Sequence, residues 1–233
     1  MRNVPFQDPM NRGARVAGWI YLPLHVVAIP LLLGTVLYLL TGDIPSEITA
    51  NVWYYLVGLT FVFVTMWGFL RRSFHVLVER LSFCCMSLLA AYAVDVVLSL
   101  ALRLGMAVLG DLPEPNNEAV LALAGADYKR MFAVAVLMAP VVEECLFRGV
   151  LFGAIRGKNR FLAYFVSVVV FSLYHVWQYA LVDQNPMLLL GALRYVPVSI
   201  ALAYCYDRTQ SIWTPIFFHM FINTLSLSVM TAT

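Results

Sequence analysis

The stretch APVVEECLFRGVLFG, residues 139–153, sets two adjacent glutamates, Glu143 and Glu144, and an arginine, Arg148, inside a run otherwise fit for an apolar surrounding. Whether that surrounding is a lipid bilayer or a soluble core decides the fold. Composition answers it. Of 233 residues, 62% are hydrophobic and 12% charged, and the mean hydropathy is +0.82. Soluble domains carry about 25% charged residues, so this chain lacks the polar surface that a soluble body of its length needs. A formal net charge of +2 gives no footprint for nucleic acid. The four cysteines, Cys84, Cys85, Cys145 and Cys205, fall in apolar runs without metal-ligand spacing or a disulfide pattern.

Working outward from residues 139–153, seven segments have the roughly 20 apolar residues that a bilayer crossing takes: 19–40, 52–70, 81–102, 131–155, 161–182, 187–206 and 211–230. They are apolar all round, as spans are and amphipathic surface helices are not. The expected fold is therefore all-α, a polytopic membrane bundle of seven spans. The run after the polar, basic start MRNVPFQDPMNRGARVAG is too long for a signal-peptide core and reads as a retained first span. Connections are short except residues 103–130, which hold the turn-rich, acidic GDLPEPNNE. That loop divides residues 1–130 from residues 131–233, both within one integral membrane domain.

Lysines and arginines orient such a bundle. With the N-terminus in the cytoplasm, Arg2, Arg12, Arg15, Arg71, Arg72, Arg80, Arg156, Lys158, Arg160 and Arg208 lie inside, while Arg103, Lys129 and Arg130 lie at outer ends: ten against three. The expectation is an integral, multi-pass protein of a bacterial-type plasma membrane, with an inner N-terminus.

A charge at mid-bilayer costs about 2.5–3.5 kcal/mol on insertion scales, so in-span charges face protein or water and mark function. Here they are Asp95, Glu143, Glu144, Arg148 and Arg194, with His25, His175 and His219 as titratable groups. His25, close to a span end, reads as a packing or interfacial residue. At about 1.5 Å rise per residue, Glu143, His175, His219, Asn223, Arg194 and Asp95 fall in one layer near the midplane. A polar cavity within the bundle explains such a layer better than scattered packing charges.

Two carboxylates, two histidines and an amide suit hydrolysis by an activated water. Glutamate is a competent general base, a histidine can share its proton or hold the water, and His219 and Asn223, spaced i to i+4, can serve one oxyanion. No G-x-S-x-G elbow and no HExxH motif is present. Glu144 and Arg148 are spaced i to i+4 and can pair within their helix, leaving Glu143 to the cavity. Pro140, three residues before it, can kink the helix and make room for a substrate.

Three short motifs in order resemble one family. EECLFR (Glu143, Glu144, Arg148) is similar to the EExxxR motif of the CPBP intramembrane proteases, the CAAX-processing and bacteriocin-processing group. FSLYH (Phe171 to His175) is similar to its FxxxH motif, and HMFIN (His219 to Asn223) to its HxxxN motif, with YDRTQSIWTPIFFH leading into it. The resemblance covers roughly residues 131–227. It implies a helical intramembrane endopeptidase, a CAAX-endopeptidase-like hydrolase. Glu143 and His175 would activate water, His219 and Asn223 would hold the oxyanion, and Glu144, Arg148 and Phe171 would support them. The partner implied is a membrane-associated or lipidated protein or peptide, met in the lipid bilayer. Relatives that process prenylated proteins have eight spans, so eight is the alternative count. No cofactor is expected. Zinc on Glu143, His175 and His219 is the alternative, disfavoured because asparagine is a poor zinc ligand and no thiolate or HxxxH pair is present. Two further readings stay open: a transporter or proton relay, and a non-catalytic scaffold or regulator of a sensor kinase or immunity protein.

Overall fold

The computed structural model describes Phe6 and residues 9–232, and among them every regular element is a helix. Helix α1, Arg12–Thr41, begins under an Asn11 cap whose side chain accepts the Ala14 amide at 2.8 Å. It ends at Gly42, whose φ of 79° is the left-handed conformation that a helix C-terminus favours glycine for. Then come α2 (Glu47–Thr65), α3 (Trp67–Glu79), α4 (Leu81–Leu109) and α5 (Pro115–Ala126). They are followed by α6 (128–156), α7 (Arg160–Tyr174), α8 (Trp177–Val182), α9 (Pro186–Thr209) and α10 (Trp213–Ala232).

Helices α1, α2, α4, α9 and α10 are long and apolar enough to cross a membrane. The chain is an integral, multi-pass membrane protein. The other expected spans differ in instructive ways. Residues 161–182 are not one helix. The Phe171 carbonyl, which the amide of residue 175 would take in an α-helix, instead takes the His175 ring nitrogen Nδ1 at 2.8 Å. Helix α7 therefore stops at Tyr174 after 15 residues, about 22 Å at 1.5 Å per residue, short of the roughly 30 Å hydrocarbon core. Residues 131–155 lie inside α6, which alternates α-helical turns with π-helical ones at Ala133–Met138 and Glu144–Phe152.

Residues 52–70 are also divided. Helix α2 starts earlier, at a Ser46 cap, and ends at Thr65, so residues 67–70 open the next helix. The long connection at 103–130 is mostly helical too: α4 runs on to Leu109, and α5 starts with Pro115 in its first turn, where the missing amide costs nothing. The first half of α9, Pro186–Tyr195, is a 3₁₀-helix. His25 is not near a span end. The polar residues 12–18 are helical, which puts it mid-helix and fully buried. Arg2 lies outside the described residues.

Packing places α6 at the centre. Every residue from 139 to 153 is buried, and the core formed around Val142, Leu146, Phe147 and Val150 takes in Met66 and Phe69 from the first half of the chain and Leu202 and Ile216 from the second. The outer apolar surface is carried by residues such as Leu39 and Leu40 on α1 and Leu89, Val97 and Leu104 on α4. The charged stretch that opened the question thus faces protein on all sides, not lipid.

Candidate active site

Helix α6 carries the site. Its glutamates point to different partners. Glu144 and Arg148 are fully buried and pair one turn apart, Nη1 to Oε1 at 3.0 Å. Arg148 also donates through Nη2 to the Ser199 hydroxyl at 3.0 Å and carbonyl at 3.2 Å on α9, and its guanidinium lies 4.1 Å from the centre of the Phe171 ring. Phe171 is thereby a platform for the arginine.

The same Glu144 Oε1 lies 2.9 Å from Nδ1 of His219 on α10. A carboxylate oxygen accepts, so Nδ1 carries a hydrogen. The other ring nitrogen, Nε2, then faces Oε2 of Glu143 at 3.9 Å. Glu143 accepts at its second oxygen, Oε1, from the Tyr55 hydroxyl of α2 at 2.8 Å. One histidine is thus held between the two glutamates, fixed by one and presented to the other.

These groups border a cavity of about 340 Å³ whose wall includes Glu143, His175, His219, Asn223, Tyr55 and Tyr174. All four residues expected to act chemically therefore meet in one place. His175 is turned by its bond to the Phe171 carbonyl and stacks on Tyr195, ring centres 4.3 Å apart and 19° from parallel. With Nδ1 donating to that carbonyl, Nε2 of a neutral His175 is a free acceptor. A second cavity of about 370 Å³ shares His175, His219 and Asn223 and adds Asp95. Helix α5 lies over both, through Asn116 and Val120. Arg194 is an anchor of that cover: it pairs with Glu114 at 2.8 Å and donates to the Leu112 carbonyl.

Asn223 has a structural duty that its spacing does not reveal. Its Nδ2 donates to the Ala135 carbonyl at 2.8 Å. That carbonyl has lost its helical partners. The Ala139 amide, the α-helical donor, bonds Val134 in the π-turn, and residue 140, the π-helical donor, is a proline without an N–H. Pro140 thus opens the helix to a side chain from α10. The same device recurs in α1. In the π-turn Leu24–Ala28, the Ile29 amide bonds Leu24 and residue 30 is proline, so the His25 carbonyl is released and accepts from the Tyr54 hydroxyl at 2.9 Å.

Sequence reasoning missed Tyr55, Tyr174, Tyr54 and Ser199. A signal existed for the first. Tyr55 lies about 12 Å from the start of α2, deeper than the interfacial belt where membrane tyrosines gather.

The donor set does not suit zinc. A catalytic zinc takes three protein ligands at about 2.0–2.3 Å. Among the described residues, no group of three or more His, Cys, Asp or Glu side chains has that arrangement. Among the described residues, no cysteine is in a disulfide; Cys84, Cys145 and Cys205 are buried and Cys85 is exposed.

The helices that carry this site, residues 127–225, match the model of a family described as type II CAAX prenyl endopeptidase Rce1-like. It is also similar to YdiL of Bacillus subtilis (strain 168), provisionally named a membrane peptidase, at 34% identity over 110 residues. That alignment covers 47% of this chain, and the chain spans 40% of the length of that relative. No solved structure matches.

Proposed function

We propose that the chain is an intramembrane endopeptidase that hydrolyses a peptide bond of a membrane-associated or lipidated protein or peptide, with Glu143 as general base. The observation that carries this reading is the pairing of Glu143 Oε2 with His219 Nε2 at 3.9 Å on the wall of a cavity between the helices. A water at ordinary hydrogen-bond distance, about 2.8 Å, from both atoms fits that separation.

In this reading Glu143 takes a proton from the water, with His175 helping to hold it, and the hydroxide attacks the scissile carbonyl. The developing oxyanion accepts from His219 in its protonated form, which the Glu144 carboxylate supports through Nδ1, and from the amide hydrogen of Asn223 that Ala135 does not use. The proton on Glu143 then passes to the leaving amine. No step needs a metal. The N-terminus faces the cytoplasm, in keeping with the distribution of Lys and Arg.

The test is cleavage of a membrane-derived peptide library, farnesylated and unmodified, by protein purified in detergent. General base catalysis contributes about 100–10,000-fold, so Glu143→Gln should lose at least about 100-fold in kcat. Undiminished cleavage by that variant removes Glu143 from the chemistry. Ion flux in liposomes without cleavage replaces the peptidase reading by a transporter.

A further inference from the structure

Between Glu143 and the released carbonyl of His25 runs an unbroken row of hydroxyls. Tyr55 donates to Glu143 Oε1 at 2.8 Å, Tyr55 and Tyr174 lie 3.3 Å apart, Tyr174 and Tyr54 lie 3.0 Å apart, and Tyr54 donates to the His25 carbonyl at 2.9 Å. The row joins α6, α2, α7 and α1 and is largely buried.

Counting hydrogens gives this row a meaning. A backbone carbonyl only accepts, and so does an ionised carboxylate. Tyr54 must therefore spend its single hydrogen on His25, and Tyr174 must spend its own on Tyr54. Tyr55 spends its hydrogen on Glu143. Nothing remains for the gap between Tyr55 and Tyr174, which is also the longest of the four contacts at 3.3 Å. Three hydroxyls cannot fill four gaps between two acceptors. One added proton on Glu143 Oε1 corrects this. Glu143 then donates to Tyr55, Tyr55 rotates toward Tyr174, and every contact holds a hydrogen.

We propose that Tyr55, Tyr174 and Tyr54 are positioning residues that seat, on Oε1 of Glu143, the proton this residue takes from the attacking water. The proposal rests on the base role of Glu143. The proton enters from the water at Oε2; a half-turn of the neutral carboxyl about its Cγ–Cδ bond carries the protonated oxygen into the place of Oε1 against Tyr55, and the reverse turn delivers the proton to the amine of the product, so the row returns to its starting arrangement each turnover. Oε1 is the better seat because Tyr55 is within bonding distance of it, whereas the histidine nitrogen facing Oε2 is 3.9 Å away. The other ionisable groups around Glu143 are His219 on α10, His175 on α7, and Glu144 and Arg148 on α6 itself; none of them enters the row. The proline at position 30 matters because it keeps the His25 carbonyl free to end the row as an acceptor.

Tyrosine-to-phenylalanine changes keep the rings and test this directly. Tyr55→Phe should lower kcat about tenfold, the weight of one hydrogen bond to a charged group, with KM unchanged. Tyr174→Phe should lower kcat less, again without a change in KM, although it leaves the Tyr55–Glu143 bond in place. A readout free of turnover is the infrared carbonyl stretch of the neutral Glu143 carboxyl in acid-titrated protein, identified by its loss in Glu143→Gln. It should move to higher frequency in Tyr55→Phe and, by less, in Tyr174→Phe. An unmoved band in both variants, or variants that lose thermal stability but keep kcat, overturns the proposal. If Glu143→Gln still cleaves, the base role falls instead, and the band still reports on the row.

Discussion

His219 Nδ1 and Glu144 Oε1 lie 2.9 Å apart, and the same carboxylate oxygen receives Arg148 at 3.0 Å. Glu144 therefore serves two partners at once, one that holds the bundle together and one that faces the cavity. Breaking a buried ion pair from one side costs about 3–5 kcal/mol. Glu144→Gln should lower the melting temperature, because a neutral amide oxygen leaves the buried Arg148 charge without its counter-ion. It should also cut kcat, because the neutral amide oxygen of glutamine holds the His219 ring more weakly than the carboxylate does. Arg148→Ala should destabilise at least as much yet spare more activity per folded molecule, since Glu144 still holds His219. Turnover and melting measured side by side on the two variants check this; equal activity per folded molecule in both would deny Glu144 its hold on His219.

Asn223 is expected to show a mixed defect. Its bond to the Ala135 carbonyl is worth about 0.5–1.5 kcal/mol, so Asn223→Ala should melt slightly earlier. Loss of one oxyanion donor costs about 100–1,000-fold in kcat, far more than the packing loss explains. A variant that melts early but turns over normally would confine Asn223 to joining α10 to α6.

Gly58 lets α2 approach α6. A methyl group there would come within 2.8 Å of Val142 Cγ1, and valine has little rotamer freedom in a helix with which to retreat. Gly58→Ala should cost about 1–3 kcal/mol by overpacking. It should also reduce kcat, because Tyr55 sits one turn away on the same helix and would be carried off Glu143. Thermal melting and kinetics of this one variant measure both effects.

Chelation is expected to leave cleavage intact, because the residues around Glu143 do not make a three-ligand zinc site. Activity assayed after prolonged treatment with a strong chelator, with metal content measured in parallel, decides the matter. Activity that falls with zinc loss and returns with zinc would reverse it.

Some of the site was legible in the chain itself. The i to i+4 spacing of Glu144 and Arg148 is enough to predict their pairing, because helical geometry alone brings such residues together. The apolar character of the segments marks a membrane bundle, and the cost of charge in lipid marks which residues must turn inward. Other features were decided only by packing. His219 meets Glu144 across 75 residues of chain, and Tyr55 meets Glu143 across 88. In a soluble helix an apolar stripe shows which face is buried. In a spanning helix every face is apolar, so the rotation that aims Tyr55 at α6 leaves no stripe to read. The helix breaks were hidden for a related reason. Whether the Phe171 carbonyl keeps its amide partner or takes the ring of His175, and whether a proline at position 30 or 140 merely kinks a helix or releases a carbonyl in a π-turn, depends on which side chain another helix brings to that carbonyl. Hydropathy sees neither choice, because neither changes how apolar the segment is.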